Sequence, residues 1–367
     1  MGGRLKMLNQ RRIRDFGVEV GKLEPGPKNS ITDVKGVKVG HQTIIEGINI
    51  NTGVTAVLPH DDNIFREKLL ASSYVINGFG KSVGMVQINE LRTLETPIIL
   101  TNTLSVGTAA QGLVEYMLKK TPEIGDKTGT VNPIVCECND QYLNDIRGCH
   151  VEREHVFKAI NNASKTFKEG SLGAGRGMSC YGLKGGIGTA SRVIDLNGKL
   201  YTMGILVMSN FGRIEDFILN NRSVGEEMKN IIKKDHNKLQ FNSYDKDKKE
   251  KGSIIIIMAT DIPMSSHQLH RISKRSIIGL NRTGSYMGNG SGEIIIGFTT
   301  GVRINHHNDN AFNSIKRLNS NKIDSLFRAV GESTEEAIYN SMICAETVKG
   351  RDGNIRCSLK KYINHII

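Results

Sequence analysis

The chain has 367 residues, of which 38% are hydrophobic, 40 are glycine and none is tryptophan. This length and composition predict a soluble, turn-rich α/β protein with a sizeable core. No apolar run reaches the 18 residues that a membrane span needs, so no membrane partner is expected. The net charge of +12 comes from lysines spread along the chain without interleaved aromatic residues, which argues against nucleic acid as a partner.

Apolar stretches typical of strands buried on both faces recur along the chain. They cover residues 54–58, 97–100, 131–138, 200–208, 253–259 and 293–298. Apolar residues at helical spacing predict helices over 106–118 and 151–163. Pro263 suits the first turn of another helix that runs toward Gly279. Ser333 and Glu336 fit a capping box, which predicts that a helix begins at Ser333. The sum predicts sheets covered by helices.

One segment differs in composition from the rest. Residues 229–251 contain eight lysines and four acidic residues with little apolar periodicity, which is typical of an exposed, mobile linker. No other internal linker and no internal repeat is evident. The length alone fits one large or two ordinary domains, and we predict a single domain over residues 1–367 with one linker inside it.

The sequence gives no sign of a cofactor or a metal. Cys136 and Cys138 have no matched histidine pair, so a zinc site is not expected. The glycines of residues 170–177 lack the strand before and the helix after them that a dinucleotide site requires, and they predict instead a crowded backbone near a site. The basic N-terminal stretch lacks the apolar core of a secretion signal, so the six cysteines are expected to be reduced thiols in the cytoplasm.

The junction between Gly252 and Ser253 joins the charged segment to an apolar strand. Cleavage of this bond would leave Ser253 at a new N-terminus with both a hydroxyl and an amine. An N-terminal α-amine has a reference pKa of about 8, so it can take the proton of its own hydroxyl. The local pattern also fits an ordinary loop end before a strand.

Several motifs in a shared order carry a family resemblance. They occupy residues 29–41, 101–107, 137–148, 173–178, 209–212, 252–253, 282–285 and 289–293. Together they resemble the family of L-aminopeptidase/D-amidase-esterases, which includes the β-aminopeptidases, over about residues 14–353. These are self-processing serine peptidases of the N-terminal-nucleophile type.

The resemblance implies a four-layer α/β/β/α sandwich, a hydrolase fold of the N-terminal-nucleophile-like DOM type. It implies self-cleavage between Gly252 and Ser253 into chains 1–252 and 253–367, which stay associated in a homo-oligomer such as a tetramer of processed heterodimers. The implied activity releases N-terminal L-, D- or β-amino acids from small peptides, amides or esters with a free amino group, through an acyl-enzyme and without a cofactor.

The resemblance also implies roles for individual residues. Ser253 is the nucleophile, and the amide of Asn210 donates to the oxyanion. Ser291 and Glu293 form a hydrogen-bonded pair with the nucleophile, and their i, i+2 spacing at the start of a strand turns both side chains the same way. Tyr142 lies in the active site, where a phenol can donate a hydrogen bond without ionising. The base that deprotonates Ser253 is either its own amine or the serine–glutamate pair.

An aminopeptidase also needs an acceptor for the ammonium group of its substrate. Glu137, Asp140 and the side-chain carbonyl of Asn102 are the candidates. Two other interpretations of the chain stay open at this point. One is an acyltransferase of the ornithine-acetyltransferase type, although those enzymes normally use a threonine nucleophile. The other is a non-catalytic binding protein of the same fold, which would be favoured if the candidate residues were scattered in space.

Overall fold

Two β-sheets lie at the centre of the molecule, and the computed structural model describes residues 10–235 and 251–367. The longer strands are β1 (Lys38–Glu46), β2 (Ile50–Leu58), β3 (Glu67–Gly78), β5 (Ile98–Asn102), β6 (Ile134–Cys138), β9 (Gly186–Leu196), β10 (Lys199–Asn210), β13 (Lys251–Thr260) and β14 (Gly290–Asn305). The two-residue strands are β4 (Thr93–Leu94), β7 (Ser179–Cys180), β8 (Leu183–Lys184), β11 (Ile218–Leu219), β12 (Arg222–Ser223), β15 (Val348–Lys349) and β16 (Ile355–Arg356).

The strands form a four-stranded and a six-stranded sheet. Their orders are β1-β2-β5-β6 and β4-β3-β14-β13-β10-β9. Within the two sheets only β5–β6 and β13–β14 are parallel neighbours. The predicted strands correspond to β2, β5, β6, β10, β13 and β14, although β6 starts at Ile134 rather than at residue 131.

Helices cover the outer faces of both sheets. They are α1 (Met85–Leu91), α2 (Val106–Lys120), α3 (Arg153–Asn161), α4 (Gly225–Asp235), α5 (Ser266–Ser273), α6 (Ser276–Thr283) and α7 (Asp324–Ile343). The predictions of α2 and α3 are confirmed. The helix expected from Pro263 begins later, because Ser265 caps it by accepting the backbone N–H of Gln268, and it is divided into α5 and α6.

The prediction that a helix begins at Ser333 is wrong. Residues 333–336 lie in the middle of α7, which begins at Asp324. The apolar face continues before the motif through Leu326, Ala329 and Val330, all of them buried, so the helix extends N-terminally past it. The carboxylate of Glu336 binds arginine side chains from other elements instead of capping a helix.

Strand β13 shows how the layers are arranged, because its side chains alternate between two cores. Ile255 and Ile257 pack in the core that includes Cys138 and α2 residues. Ile254 and Ile256 pack on the opposite face in the core that includes residues of α5 and α7. Because α2 and α3 contact the four-stranded sheet while α5 and α7 contact the six-stranded sheet, the predicted four-layer α/β/β/α order is confirmed.

The linker expected over residues 229–251 is wrong at both ends, because α4 covers its start and β13 begins at Lys251. Helix α4 continues through Asp235, and Met228 and Ile232 on this helix are buried in the core. The hydrophobic pair at i, i+4 gives the helix a buried stripe that the surrounding lysines conceal in the sequence. Residues 236–250 lie outside the described part of the chain. Within the described part, no helix is both long and apolar enough to cross a membrane.

Candidate active site

Ser253 lies near the start of β13, between β10 and β14. It pairs with Asn210 of the antiparallel strand β10 and with Gly292 of the parallel strand β14. Its residue surface is 6% exposed, so the hydroxyl lies in a largely dry environment. Strand pairing thus brings the candidate nucleophile beside the candidate oxyanion donor, although 42 residues of the chain lie between Asn210 and Ser253.

Gly252, on the other side of the candidate scissile bond, occupies a conformation that favours glycine. Its φ is +140°, a region that side chains rarely adopt. A Cβ at this position would lie 2.2 Å from the backbone oxygen of Asn210 and 2.7 Å from the Cα of Phe211. The backbone around the candidate cleavage bond therefore depends on the absence of a side chain at residue 252.

The amide of Asn210 is held in a single orientation. Its Oδ1 accepts the backbone N–H of Ser179 at 2.8 Å, and its Nδ2 donates to the backbone oxygen of Asn139 at 2.9 Å. A flipped amide would place like against like at both contacts. An NH₂ group carries two hydrogens, so Nδ2 has a second one to offer to an oxyanion beside Ser253.

Ser291 and Glu293 form a hydrogen-bonded pair on β14. The hydroxyl of Ser291 donates to Oε1 of Glu293, and both residues are fully buried. In the register of the sheet Ser291 is beside Gly252 and Glu293 is beside Ile254. The two residues of the pair therefore lie on the neighbouring strand, one on each side of Gly292, the residue that pairs with Ser253.

Tyr142 lies in the turn that follows β6 and is half-buried. The guanidinium of Arg356 stacks over its ring with the carbon 3.7 Å from the centroid, a cation–π contact. The Nε of Arg356 also donates to the hydroxyl of Ser179 at 3.3 Å. Since the N–H of Ser179 binds Asn210, these contacts connect Tyr142 to the candidate oxyanion donor.

The three candidate acceptors for a substrate ammonium differ in their surroundings. Glu137 is 3% exposed, and its two oxygens accept the backbone N–H of Lys81 at 2.9 Å and the hydroxyl of Thr103. Asn102 is 1% exposed and its Oδ1 accepts the N–H of Ser105. Asp140 is fully buried and accepts from the side chain of Asn144.

Burial dominates the electrostatics of Asp140. Desolvation raises the pKa of its carboxyl to about 7, against hydrogen bonds from Thr52, Asn144 and Asn102 that favour the charged form. A Cβ added to Gly177 would lie 2.6 Å from the Cβ of Asp140. At this position the glycine-rich stretch therefore provides the close backbone approach that the sequence predicts.

The cysteines near these residues are poor nucleophiles. Burial raises the pKa of the Cys136 thiol to about 12 and raises that of Cys138 well above its usual value, and a protonated thiol attacks weakly. All six cysteines lie in the described part of the chain, and none of them forms a disulfide. Among the described residues no group of three or more His, Cys, Asp or Glu side chains could hold a metal ion.

The structure brings most of the candidate residues together. Ser253, Asn210, Ser291 and Glu293 lie on adjacent strands. Asn139 links the end of β6 to Asn210, which connects the segment of Glu137, Asp140 and Tyr142 to the same location. Ser179 and Lys184 were not predicted from the sequence. The N–H of Ser179 binds Asn210, and Lys184 binds the oxygen of the same peptide group. No local pattern distinguishes these two residues from surface residues.

Comparison with known proteins shows which families share these features. A family model for peptidase family S58 matches residues 29–356. The chain is 37% identical to beta-peptidyl aminopeptidase BapA of Sphingosinicella microcystinivorans over 373 residues, 96% of this chain and 92% of that protein. The match over most of the chain to a peptidase family disfavours the acyltransferase alternative.

Solved structures are similar over nearly the whole chain. The PH0078 protein from Pyrococcus horikoshii OT3 has a TM-score of 0.90 at 49% identity, with 97% of this chain and 98% of that chain covered. The L-aminopeptidase D-Ala-esterase/amidase of Ochrobactrum anthropi has a TM-score of 0.86 at 33% identity, with 96% and 98% covered, and is described as a prototype of the serine aminopeptidases and a new variant among the Ntn hydrolase fold. A Burkholderia sp. beta-aminopeptidase has a TM-score of 0.86 at 34% identity, with 97% and 99% covered.

Proposed function

The chain belongs to peptidase family S58 and is a hydrolase of the serine aminopeptidase type, and on that premise we propose that it activates itself by cutting the bond between Gly252 and Ser253. The observation that supports this proposal is the pairing of Ser253 with Asn210, whose amide is oriented by two hydrogen bonds and keeps one N–H for an oxyanion. Both the self-cleavage and the peptidase reaction would use this arrangement.

In the first reaction the hydroxyl of Ser253 attacks the carbonyl carbon of Gly252. The serine proton is transferred to the leaving nitrogen, the Gly252–Ser253 amide breaks, and an ester joins the Gly252 acyl group to the serine oxygen. Breaking the amide frees the α-amine of Ser253, and water then hydrolyses the ester, which releases the carboxylate of Gly252 and restores the serine hydroxyl. Before cleavage the nitrogen of Ser253 is an amide and cannot act as a base, so we assign that role to the buried pair of Ser291 and Glu293.

In the second reaction Ser253 attacks the carbonyl of a substrate's first residue. Its own α-amine now takes the hydroxyl proton and passes it to the departing amine, which leaves an acyl-enzyme that water hydrolyses. Asn210 donates to the oxyanion in both halves of the reaction, and the phenol of Tyr142 supplies a further hydrogen bond at the same site. Ser291 and Glu293 then hold the proton network of the nucleophile in place.

Recognition of the substrate's amino group is assigned to Glu137. Of the three candidates it has the contacts that best suit an exchangeable ligand, because a loop N–H and a threonine hydroxyl hold its carboxylate. Asn102 is committed to capping the turn before α2, and Asp140 is fully buried with a raised pKa. A carboxylate that binds an ammonium explains why a free N-terminus would be required.

The substrates are proposed to be small peptides, amides or esters whose N-terminal residue is an L-, D- or β-amino acid, as in the names of the relatives. We further propose a cytoplasmic homo-oligomer of processed chains. The apolar side chains of Phe79 and Val86 are 60% and 85% exposed, and their burial between subunits would support such an assembly. Light scattering of the purified protein measures its mass, and a monomer would contradict the oligomer.

The aminopeptidase assignment is tested with matched pairs of dipeptides that differ only in N-terminal acetylation. We expect hydrolysis of the free-amine member and at least a ~100-fold lower kcat/KM for the acetylated one, since an acetyl group removes the charge that Glu137 binds. Equal turnover of both members would contradict the assignment. Ser253→Ala should abolish hydrolysis, whereas Ser273→Ala, which removes a buried hydroxyl in α5 that binds the Leu269 carbonyl, should not.

A further inference from the structure

Lys184, the last residue of β8, carries a fully buried amine. Its Nζ donates to the backbone oxygens of Gly175, Met178 and Gly185 at 2.9, 2.6 and 2.8 Å. No ion pair recorded between described residues includes Lys184. Three carbonyl groups therefore replace the water that an exposed lysine would bind, and they match the three donors of an ammonium group.

One of these carbonyls connects Lys184 to Asn210. The oxygen of Met178 and the N–H of Ser179 belong to the same peptide group, and in a planar trans peptide they point in opposite directions. Lys184 binds the oxygen, while the N–H binds Oδ1 of Asn210 at 2.8 Å. The amine, the peptide group and the asparagine amide thus form one continuous series of hydrogen bonds that leads toward Ser253.

We propose that Lys184 is a positioning residue of the oxyanion hole, which fixes the peptide between Met178 and Ser179 and through it the amide of Asn210. The proposal rests on the proposed function, because it assumes that Asn210 binds the oxyanion. Rotation of that peptide would turn a carbonyl toward Oδ1 and release the amide. The hydrogen bond from Lys184 to the oxygen of this peptide also polarises its N–H and strengthens the bond to Asn210.

Packing alone does not account for a lysine at this position. A methionine of similar length would fill the space without removing an ammonium group from water, which is costly in a protein interior. Desolvation lowers the pKa of Lys184 well below its usual value, and the charge of Arg176 lowers it further, while the carboxyl of Asp140 opposes both. The position therefore carries an electrostatic cost that a purely structural residue would avoid.

The experiment is a double-mutant cycle of Lys184→Met and Asn210→Ala in the full chain. It follows two rates, the appearance of the fragment that begins at Ser253 and the kcat for an amino-acid ester. Asn210→Ala alone should lower both rates by about 100- to 1000-fold, the effect of removing one oxyanion donor. Lys184→Met should lower them by about 10- to 100-fold through misplacement of that donor, with KM within about twofold. In the Asn210→Ala background Lys184→Met should cost nothing more.

Lys68→Met is the matched control. Lys68 is also a mostly buried lysine, with a side chain 16% exposed in an ion pair with Glu95, but it pairs with Ile304 at the end of β14 opposite Ser291. Its replacement should leave kcat unchanged. Should Lys184→Met fail to fold by circular dichroism, Lys184→Gln keeps two N–H donors for the carbonyl cage and should give a smaller loss in the same cycle.

The outcomes distinguish a failure of the role proposed for Lys184 from a failure of the proposed function. Wild-type rates in Lys184→Met, or an equal additional loss in the Asn210→Ala background, would overturn the positioning role while leaving the proposed function intact. Wild-type rates in Asn210→Ala would instead overturn the oxyanion assignment of the proposed function, and the role of Lys184 with it.

Discussion

Gly252 precedes the bond that the proposed mechanism breaks, and its conformation sets the geometry of that bond. With φ at +140° and the oxygen of Asn210 2.2 Å from a hypothetical Cβ, an added methyl group would push against the strand that carries the oxyanion donor. A non-glycine residue in such a conformation is strained by about 1–3 kcal/mol. The side-chain-free position therefore keeps Ser253 and Asn210 in register.

We predict that Gly252→Ala slows self-cleavage at least ~10-fold, because the methyl group displaces β13 from Asn210. The rate is measured from the appearance of the shorter fragment after expression. Gly107→Ala in α2 is the matched control, since apart from its chain neighbours and the backbone of its own helix no heavy atom lies within 4 Å of its added methyl group. Unchanged cleavage in Gly252→Ala would contradict this interpretation of the junction.

Asp140 gives a prediction about pH. Burial raises the pKa of its carboxyl in the folded protein to about 7, well above the unfolded value. The folded state therefore binds the proton more tightly, so the stabilisation is complete below the unfolded pKa and is lost as pH rises toward 7. Asp140→Asn should remove this dependence and stabilise the protein above pH 7, on the order of 3 kcal/mol.

The measurement compares urea unfolding with and without Asp140→Asn at pH 5 and pH 8, in a Ser253→Ala background that keeps the chain in one piece. The difference between the two proteins isolates Asp140, because all other titrating groups are shared. An advantage of the variant that grows from pH 5 to pH 8 supports the assignment. A constant difference would show that the carboxyl ionises normally in the folded state.

The candidate residues Ser253 and Asn210 could be proposed from the sequence because they stand in recognisable motifs. Ser253 follows a glycine at the start of an apolar strand, and Asn210 ends another strand. Lys184 was not predictable, because its buried carbonyl cage forms only when residues 175–178 fold over β8. Nothing local distinguishes it from the many exposed lysines of this basic chain.

Helix α7 shows how an element can differ from its sequence signal. Glu336 accepts Nε of Arg14 and Nη2 of Arg192, each at 2.7 Å, and the side chain of Asn29. Arg192 on β9 is fully buried and also binds Glu332 at 3.3 Å. The carboxylates of α7 thus connect the helix to β9 and to the N-terminal segment. In the sequence, the glutamate that makes these tertiary contacts stands at the spacing of a capping box.

We predict that Arg192→Met destabilises the protein by about 3–5 kcal/mol, because it leaves buried carboxylates of α7 without their shared cation. Arg328→Met is the control, since that side chain is 52% exposed and its nitrogen is 3.7 Å from Glu332; its loss should cost under about 1 kcal/mol. Urea unfolding in a Ser253→Ala background keeps the chain in one piece. Equal losses in the two variants would contradict a structural role for the buried cluster.

The pattern of burial also decides which of the other strands and helices can be predicted from the sequence. Central strands such as β13 are easy to predict, because both of their faces are buried and nearly every residue is apolar. Strand β3 lacks such a run, because buried Ser72 and Ser73 interrupt its apolar residues. Helix α4 was not predicted, because its lysines made the segment resemble an exposed linker. Met228 and Ile232 form its buried side.

At the scale of the whole molecule, the fold serves to place one strand between two others. β13 lies in the middle of the six-stranded sheet, with β10 and β14 on either side, and its ladder continues to Thr260 in the core. A cut at residue 252 would release only the end of this strand. The shorter fragment would contain both β13 and β14, which pair with β10 and β3 of the longer fragment. These two ladders of hydrogen bonds would keep the fragments joined, while Ser253 gains a free amine.

The central claim is that Ser253 becomes the nucleophile when the chain cuts itself before it. The most direct measurement is a denaturing gel of the purified protein with N-terminal sequencing of the shorter fragment and an activity assay on the same sample. We predict two bands, a shorter fragment that begins Ser-Ile-Ile-Ile, and an uncut, inactive Ser253→Ala variant. A single full-length band with full peptidase activity would contradict the account.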